Sequence, residues 1–146
     1  MSLDIITKTG KRANTGEIIV TLFEFCNLSC KFCNQDHDSL EGVKTIAGKV
    51  DVVKKVIMQT PREKYSVHFM GGEVFADALP LHVYTDYQYV CHELNVWAAE
   101  QNIDLEICFT SNMVFDNTDD LDEFLYISNP TLITSFDPAA RFNNDT

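Results

Sequence analysis

Four short runs of β-branched and aromatic residues divide this chain, and segments of helical period separate them. Residues 17–25 (EIIVTLFEF), 64–70 (KYSVHFM), 105–110 (LEICFT) and 131–136 (TLITSF) are too short for typical helices and suit a pleated surface. Between the first two, Val50, Val53, Val56 and Ile57 recur at helical spacing over residues 48–59, and Pro61 stands just past the end. Between the second and third, residues 80–101 carry Val83, Tyr84, Tyr87, Val90, Cys91, Leu94, Trp97 and Ala98 as one apolar stripe. Between the third and fourth, residues 119–127 turn Leu121, Phe124 and Leu125 inward, with acids in the first turn where the helix dipole favours them. Alternation of this kind predicts an α/β fold of parallel strands joined by right-handed helical crossovers. A further short strand is expected over residues 3–7, a turn or loop over 8–16, and an irregular polar stretch over 34–45. No internal repeat, low-complexity tract or linker interrupts the pattern, and 146 residues suit one domain spanning 1–146.

In parallel α/β folds, ligands gather at the carboxyl ends of the strands. The first strand here runs into Cys26-Asn27-Leu28-Ser29-Cys30-Lys31-Phe32-Cys33, a C-x3-C-x2-C spacing. Three thiolates this close can converge on one metal centre, and a soft ligand set selects zinc, copper(I) or iron–sulfur. Three cysteines fill three corners of a four-iron cluster and leave one iron open, which points to a catalytic centre. The second strand ends in Gly71-Gly72-Glu73, the third in Thr110-Ser111-Asn112 and the fourth in Ser135-Phe136-Asp137. One sheet edge thus offers groups suited to a metal, an ammonium and a ribose.

The stretch CNLSCKFC resembles the C-N-L-x-C-x-[YF]-C signature of many peptide- and protein-modifying members of the radical S-adenosylmethionine (radical SAM) superfamily. The resemblance implies that Cys26, Cys30 and Cys33 ligate a [4Fe–4S] cluster whose open iron chelates the methionine part of S-adenosylmethionine. Phe32 then matches the aromatic residue that borders the adenine. Gly71, Gly72 and Glu73 look like the motif that receives the ammonium group, although Val74 stands where relatives often have proline. Ser111, Asn112, Ser135 and Asp137 lie where relatives place ribose and carboxylate contacts. The implied chemistry is reductive cleavage of S-adenosylmethionine to a 5′-deoxyadenosyl radical that takes a hydrogen atom from a substrate, here a peptide or protein. The implied partners are that substrate and an electron donor such as a flavodoxin or ferredoxin. The implied fold is a partial (β/α) barrel of six strand–helix units. About four strands are counted here, which leaves three possibilities: a fragment, a chain completed by a second chain or copy, or a minimal form. As counted, the fourth strand is left with an unpaired edge, and each of the three is a way out of that liability.

Rival readings stay open beside this one. Cys26, Cys30, Cys33 and His37 would make a sound structural zinc site, and a non-catalytic iron–sulfur or zinc module that only binds a partner fits the same triad. Gly71-Gly72 also reads as a plain turn, and the Ser111-Asn112 and Ser135–Asp137 groups as ordinary polar strand ends. Cys91 and Cys108 lie on apolar positions and read as core. His68 and His82 read as ordinary strand and helix-start residues, while His92 has no assigned role. A net charge of -11, from 22 acidic against 11 basic residues, opposes a phosphate backbone as partner. Lys8, Lys11 and Arg12 read as a solvated turn. The absence of a long apolar run excludes a membrane span, and the N-terminus lacks the order of a signal peptide. Five cysteines, an odd number, fit metal or reactive thiols in a reducing, cytoplasmic compartment better than disulfides.

Overall fold

A computed structural model describes residues 5–6, 12–26, 39–116 and 118–134. A short antiparallel hairpin comes first, β1 (Ile5–Ile6) against β2 (Arg12–Ala13). There follow β3 (Thr15–Thr21), α1 (Lys49–Gln59), β4 (Lys64–Met70), α2 (His82–Glu100), β5 (Asp104–Ser111), α3 (Asp119–Ser128) and β6 (Thr131–Thr134). A single 3-10 turn, Val43–Thr45, precedes α1. The chain is therefore α/β, with four parallel strands alternating with helices in the sheet order β3-β4-β5-β6. Of the described strands, β3 and β6 are the two edges of this sheet. No described helix is long and apolar enough to cross a membrane.

The helices and the later strands lie within two residues of their expected bounds, and residues 135–136 of the expected fourth strand fall outside the described residues. The first strand is displaced. It starts at Thr15 rather than residue 17 and ends at Thr21 rather than residue 25. Its early start reflects tertiary pairing: Thr15 and Gly16 lie opposite Lys64 and Tyr65 in the parallel ladder. Gly16 fits there because the Tyr65 ring packs over it, so close that a Cβ would stand 2.9 Å from ring atom Cδ1. The loop expected over residues 8–16 thus contains β2 and the start of β3.

Sequential strand order with right-handed crossovers puts every helix on the same side of the sheet. The registers agree. Ile18, Val67 and Ile107 stand side by side, as do Val20, Phe69 and Phe109, and all six are buried in the core with the helix stripes. From α1 the core takes Val50, Val53 and Ile57, from α2 Val83, Tyr87, Val90, Cys91 and Leu94, and from α3 Leu121 and Phe124. Val56, Tyr84, Trp97 and Leu125 pack at its margin. The first turn of α3 holds Asp119, Asp120 and Asp122, and the helix closes on Asn129 at φ 47°, whose N–H donates to the Leu125 carbonyl. On the other face of the sheet stand Glu17, Ile19, Ser66, His68, Glu106 and Cys108, with Ile19 66% exposed. Cys91 and Cys108 are both buried, but Cys108 occupies this second face rather than the helix side.

Phe75 joins the two ends of the core. Its ring lies 6.0–6.2 Å from those of Tyr84, Tyr87, Phe109, Phe115 and Phe124. The Tyr87 hydroxyl donates to the Val74 carbonyl at 2.6 Å. The chain just past β4 is thereby fastened to α2 and α3. Each fully buried phenylalanine ring in the cluster contributes about 1.5–3 kcal/mol through burial alone.

Burial also suppresses ionisation in this core. It pushes the Cys91 thiol up to about 12, opposed by a hydrogen bond with Ser128. It pushes the Cys108 thiol up to about 11, reinforced by the Glu106 and Glu17 carboxylates. The Tyr87 hydroxyl is raised well above its ordinary value, first by burial and then by the charges of Tyr84, Glu73 and Asp86. These groups keep their protons in the folded chain where the unfolded chain begins to lose them, so stability falls as pH rises through the unfolded values. Urea unfolding followed by circular dichroism should show the midpoint dropping steadily from about pH 8.5 to about pH 10.5. Cys91→Ala should drop less steeply over that window, and an unchanged slope would remove Cys91 from the account.

Candidate functional site

Three of the four strand ends singled out by sequence meet in the described structure. Past Thr21 the chain stays extended beside the end of β4. The Leu22 N–H donates to the Met70 carbonyl at 2.8 Å, the Gly72 N–H to the Phe23 carbonyl at 3.0 Å, and the Glu73 N–H to the Phe25 carbonyl at 2.7 Å. The glycine pair permits this approach. A Cβ on Gly71 would collide with the Phe23 carbonyl oxygen, and one on Gly72 with the Glu24 and Phe25 carbonyl oxygens. Neither glycine has a positive φ. The need for glycine here is one of space, created by the segment that leads into Cys26.

Glu73 turns from that junction into the protein. It is fully buried. Its Oε2 accepts from the Phe75 N–H at 2.8 Å and the Ser111 hydroxyl at 2.9 Å, and its Oε1 accepts from the Asn112 N–H at 2.6 Å. A buried carboxylate is tolerated only when donors replace its water, and these three come from the ends of both β4 and β5. Its charge helps to raise the Tyr84 and Tyr87 hydroxyls above their ordinary values, after burial. The Ser111 hydroxyl, itself buried, also accepts from the Met113 N–H at 2.9 Å. Asn112 makes a matching turn, with Oδ1 accepting from the Val114 N–H at 2.8 Å. Its Nδ2 donates to Cys26 Sγ at 3.7 Å. Met113 takes the left-handed conformation, φ 61°, at the point where the chain leaves the strand.

Cys26, Gly71, Gly72, Glu73, Ser111 and Asn112 are therefore neighbours at one end of the sheet. Cys30, Cys33 and Phe32, the rival ligand His37, and Ser135 and Asp137 lie outside the described residues. Among the described residues no three histidine, cysteine, aspartate or glutamate side chains gather as a metal site. Cys26 is half-buried at the strand end, beside an amide donor, a setting that suits a soft metal-bound sulfur. His68 lies half-buried on β4, and its Nε2 has no hydrogen-bond partner among the described residues. His82 opens α2 and stands 4.0 Å from Asp86.

Two features escaped the sequence reading. The Glu73 carboxylate faces inward, onto protein donors. Val74 and Phe75 anchor the loop, the first through its carbonyl on the Tyr87 hydroxyl and the second through its ring against Tyr84, Tyr87 and Phe124. The adjacent Ser111-Asn112 pair was a usable signal, because consecutive hydroxyl and amide side chains after a strand commonly cap their own backbone two residues on. No protein-family model and no curated protein matches the chain.

Glu73→Gln keeps the volume but sets an amide NH2 against one of the donors, and should destabilise the fold by about 2–3 kcal/mol in urea titration, against about 1 kcal/mol for Ser111→Ala. Equal, small effects would show that the carboxylate is not the bridge. Gly72→Ala should destabilise by about 1–3 kcal/mol or more through backbone overlap. Gly48→Ala, where a Cβ would meet nothing nearer than the Thr45 carbonyl oxygen at 3.5 Å, should be neutral or gain up to about 1 kcal/mol.

Proposed function

We propose that this chain holds a [4Fe–4S] cluster through Cys26, Cys30 and Cys33 and binds S-adenosylmethionine beside it, as radical SAM enzymes do. The observation that carries the reading is the convergence of Cys26 with Gly71-Gly72-Glu73 and Ser111-Asn112 at one carboxyl edge of a parallel sheet. Parallel topology alone brings these strand ends together; what supports the reading is that the ends carry a thiol, a glycine pair and a hydroxyl–amide pair, the groups that such a site would use. When bound, the cluster and S-adenosylmethionine supply one-electron cleavage to a 5′-deoxyadenosyl radical that takes hydrogen from a substrate.

The residues divide the work as follows. The three sulfurs hold the cluster. The main chain at Gly71 and Gly72 receives the ammonium, because the Glu73 carboxylate is committed to protein donors. Phe32 borders the adenine, and Asn112, Ser135 and Asp137 contact ribose or carboxylate. Ser111 supports them from behind, since its one donor goes to Glu73. A flavodoxin or ferredoxin supplies the electron, and a peptide or protein is the substrate, in a cytoplasmic setting. A second chain or copy pairing at a sheet edge would complete the partial barrel.

A second reading, metal binding without cleavage, draws on the same buried Glu73, which presents no carboxylate oxygen outward. One experiment separates the two. The chain is reconstituted anaerobically with iron and sulfide, reduced, and given S-adenosylmethionine. About four irons per chain with 5′-deoxyadenosine formed is the expected result, with iron lost in Cys30→Ala and Cys33→Ala but kept in Cys91→Ala. A cluster without 5′-deoxyadenosine would favour the second reading. Zinc bound in place of iron, with no spectral response to S-adenosylmethionine, would overturn the first.

A further inference from the structure

The amide of Asn112 is oriented from three directions. Its backbone N–H is fixed on Glu73 Oε1 at 2.6 Å. Its side-chain oxygen is fixed by the Val114 N–H at 2.8 Å. With Oδ1 so engaged, the NH2 end is the end that reaches Cys26, at 3.7 Å from Sγ. The amide is therefore not free to flip and offer the sulfur its oxygen, because that would set NH2 against the Val114 N–H. Glu73, in turn, is fully buried and held by two further donors. A rigid chain of bonds thus runs from the core, through a buried carboxylate, to an N–H aimed at one sulfur.

We propose that Asn112 is a positioning residue for the Cys26 sulfur, donating an N–H···S hydrogen bond that favours the reduced state of a metal centre bound there. This rests on the iron–sulfur reading above. An N–H donor draws charge from a ligating thiolate, and the extra electron of the reduced cluster increases the charge that it stabilises. Hydrogen bonds to cluster sulfurs are a general control on reduction potential. The role differs from the ribose contact inferred for Asn112 by resemblance, and the two are compatible only if the Oδ1 atom or the main chain serves the ligand.

The test is a redox titration of the reconstituted chain without S-adenosylmethionine, followed by electron paramagnetic resonance. Asn112→Asp is the main variant. It keeps an oxygen for the Val114 N–H, removes the donor and brings a negative charge to the sulfur. Asn112→Ala removes the donor without adding charge. At a fixed applied potential the ratio of reduced to oxidised cluster should fall about tenfold in Asn112→Ala, equivalent to about 59 mV for one electron, and further in Asn112→Asp, with iron content unchanged. Pulsed resonance on wild-type chain labelled with 15N-asparagine should show a nitrogen coupling to the reduced centre that both variants lose. An unmoved ratio, or no such coupling in the wild type, would overturn the proposal while leaving the cluster assignment intact. Failure of the wild type to take up iron would overturn both. Because Asn27 and Asn34 also flank the cysteines, only the coupling lost on substitution is assigned to Asn112, and should one variant fail to load iron the other decides.

Discussion

The buried carboxylate of Glu73 is the interaction on which this architecture turns. A parallel sheet is held together along its strands by backbone bonds, but those ladders stop where the strands stop. Past Met70 the main chain still bonds to Phe23 and Phe25, but the tie across to the end of β5 is a charged acceptor with donors from both sides. Charged acceptors make stronger hydrogen bonds than neutral ones. Left unpaired, a carboxylate at this depth would cost several kcal/mol. The aromatic cluster around Phe75 seals it from water, which is the condition under which such bonds are strongest.

The glycine pair shows how one sequence feature can serve two ends. Gly71 and Gly72 are required by the segment 22–26, whose carbonyls occupy the space that side chains would need. That requirement is wholly internal and would exist without a ligand. Yet it also fixes where Cys26 emerges, since the same contacts hold the strand extension that carries it. A motif matched by resemblance thus has a packing reason for its letters, and the packing delivers the sulfur to the polar edge.

Much of this was legible in the chain itself. The period of the apolar residues gave the helices and the later strands, because α1, α2 and α3 each bury one stripe and the sheet buries alternate residues on its helix side. Apolar content alone misplaces the first strand at both ends. Thr15 and Gly16 join the sheet through the partner strand and the Tyr65 ring. Phe23 and Phe25 look like strand residues and stay extended, but they pair with the glycine turn instead of with a strand. At the site, the neighbours could be foreseen from strand-end logic, whereas the inward aim of Glu73 could not. The letter E after two glycines carries no direction. Direction came from Ser111 and Asn112, thirty-eight and thirty-nine residues later, whose donors meet it.

The two faces of the sheet complete the physical picture. All the described helices cover one face, and a parallel sheet ordinarily needs cover on both. The second face is built differently from the first. Glu106 on β5 accepts from Ser66 of β4 at 3.3 Å and from Thr131 of β6 at 3.1 Å, a side-chain ladder that ties three strands together across the backbone ladder. Such pairs stabilise a sheet by fractions of a kcal/mol each, far less than an apolar layer would. In exchange, they leave a mixed surface, with exposed Ile19 and buried Cys108 beside the polar ladder. The same strands therefore present an apolar side to their own helices and a mixed, partly polar side away from them, and both sides run toward the edge where Cys26, Glu73 and Asn112 meet.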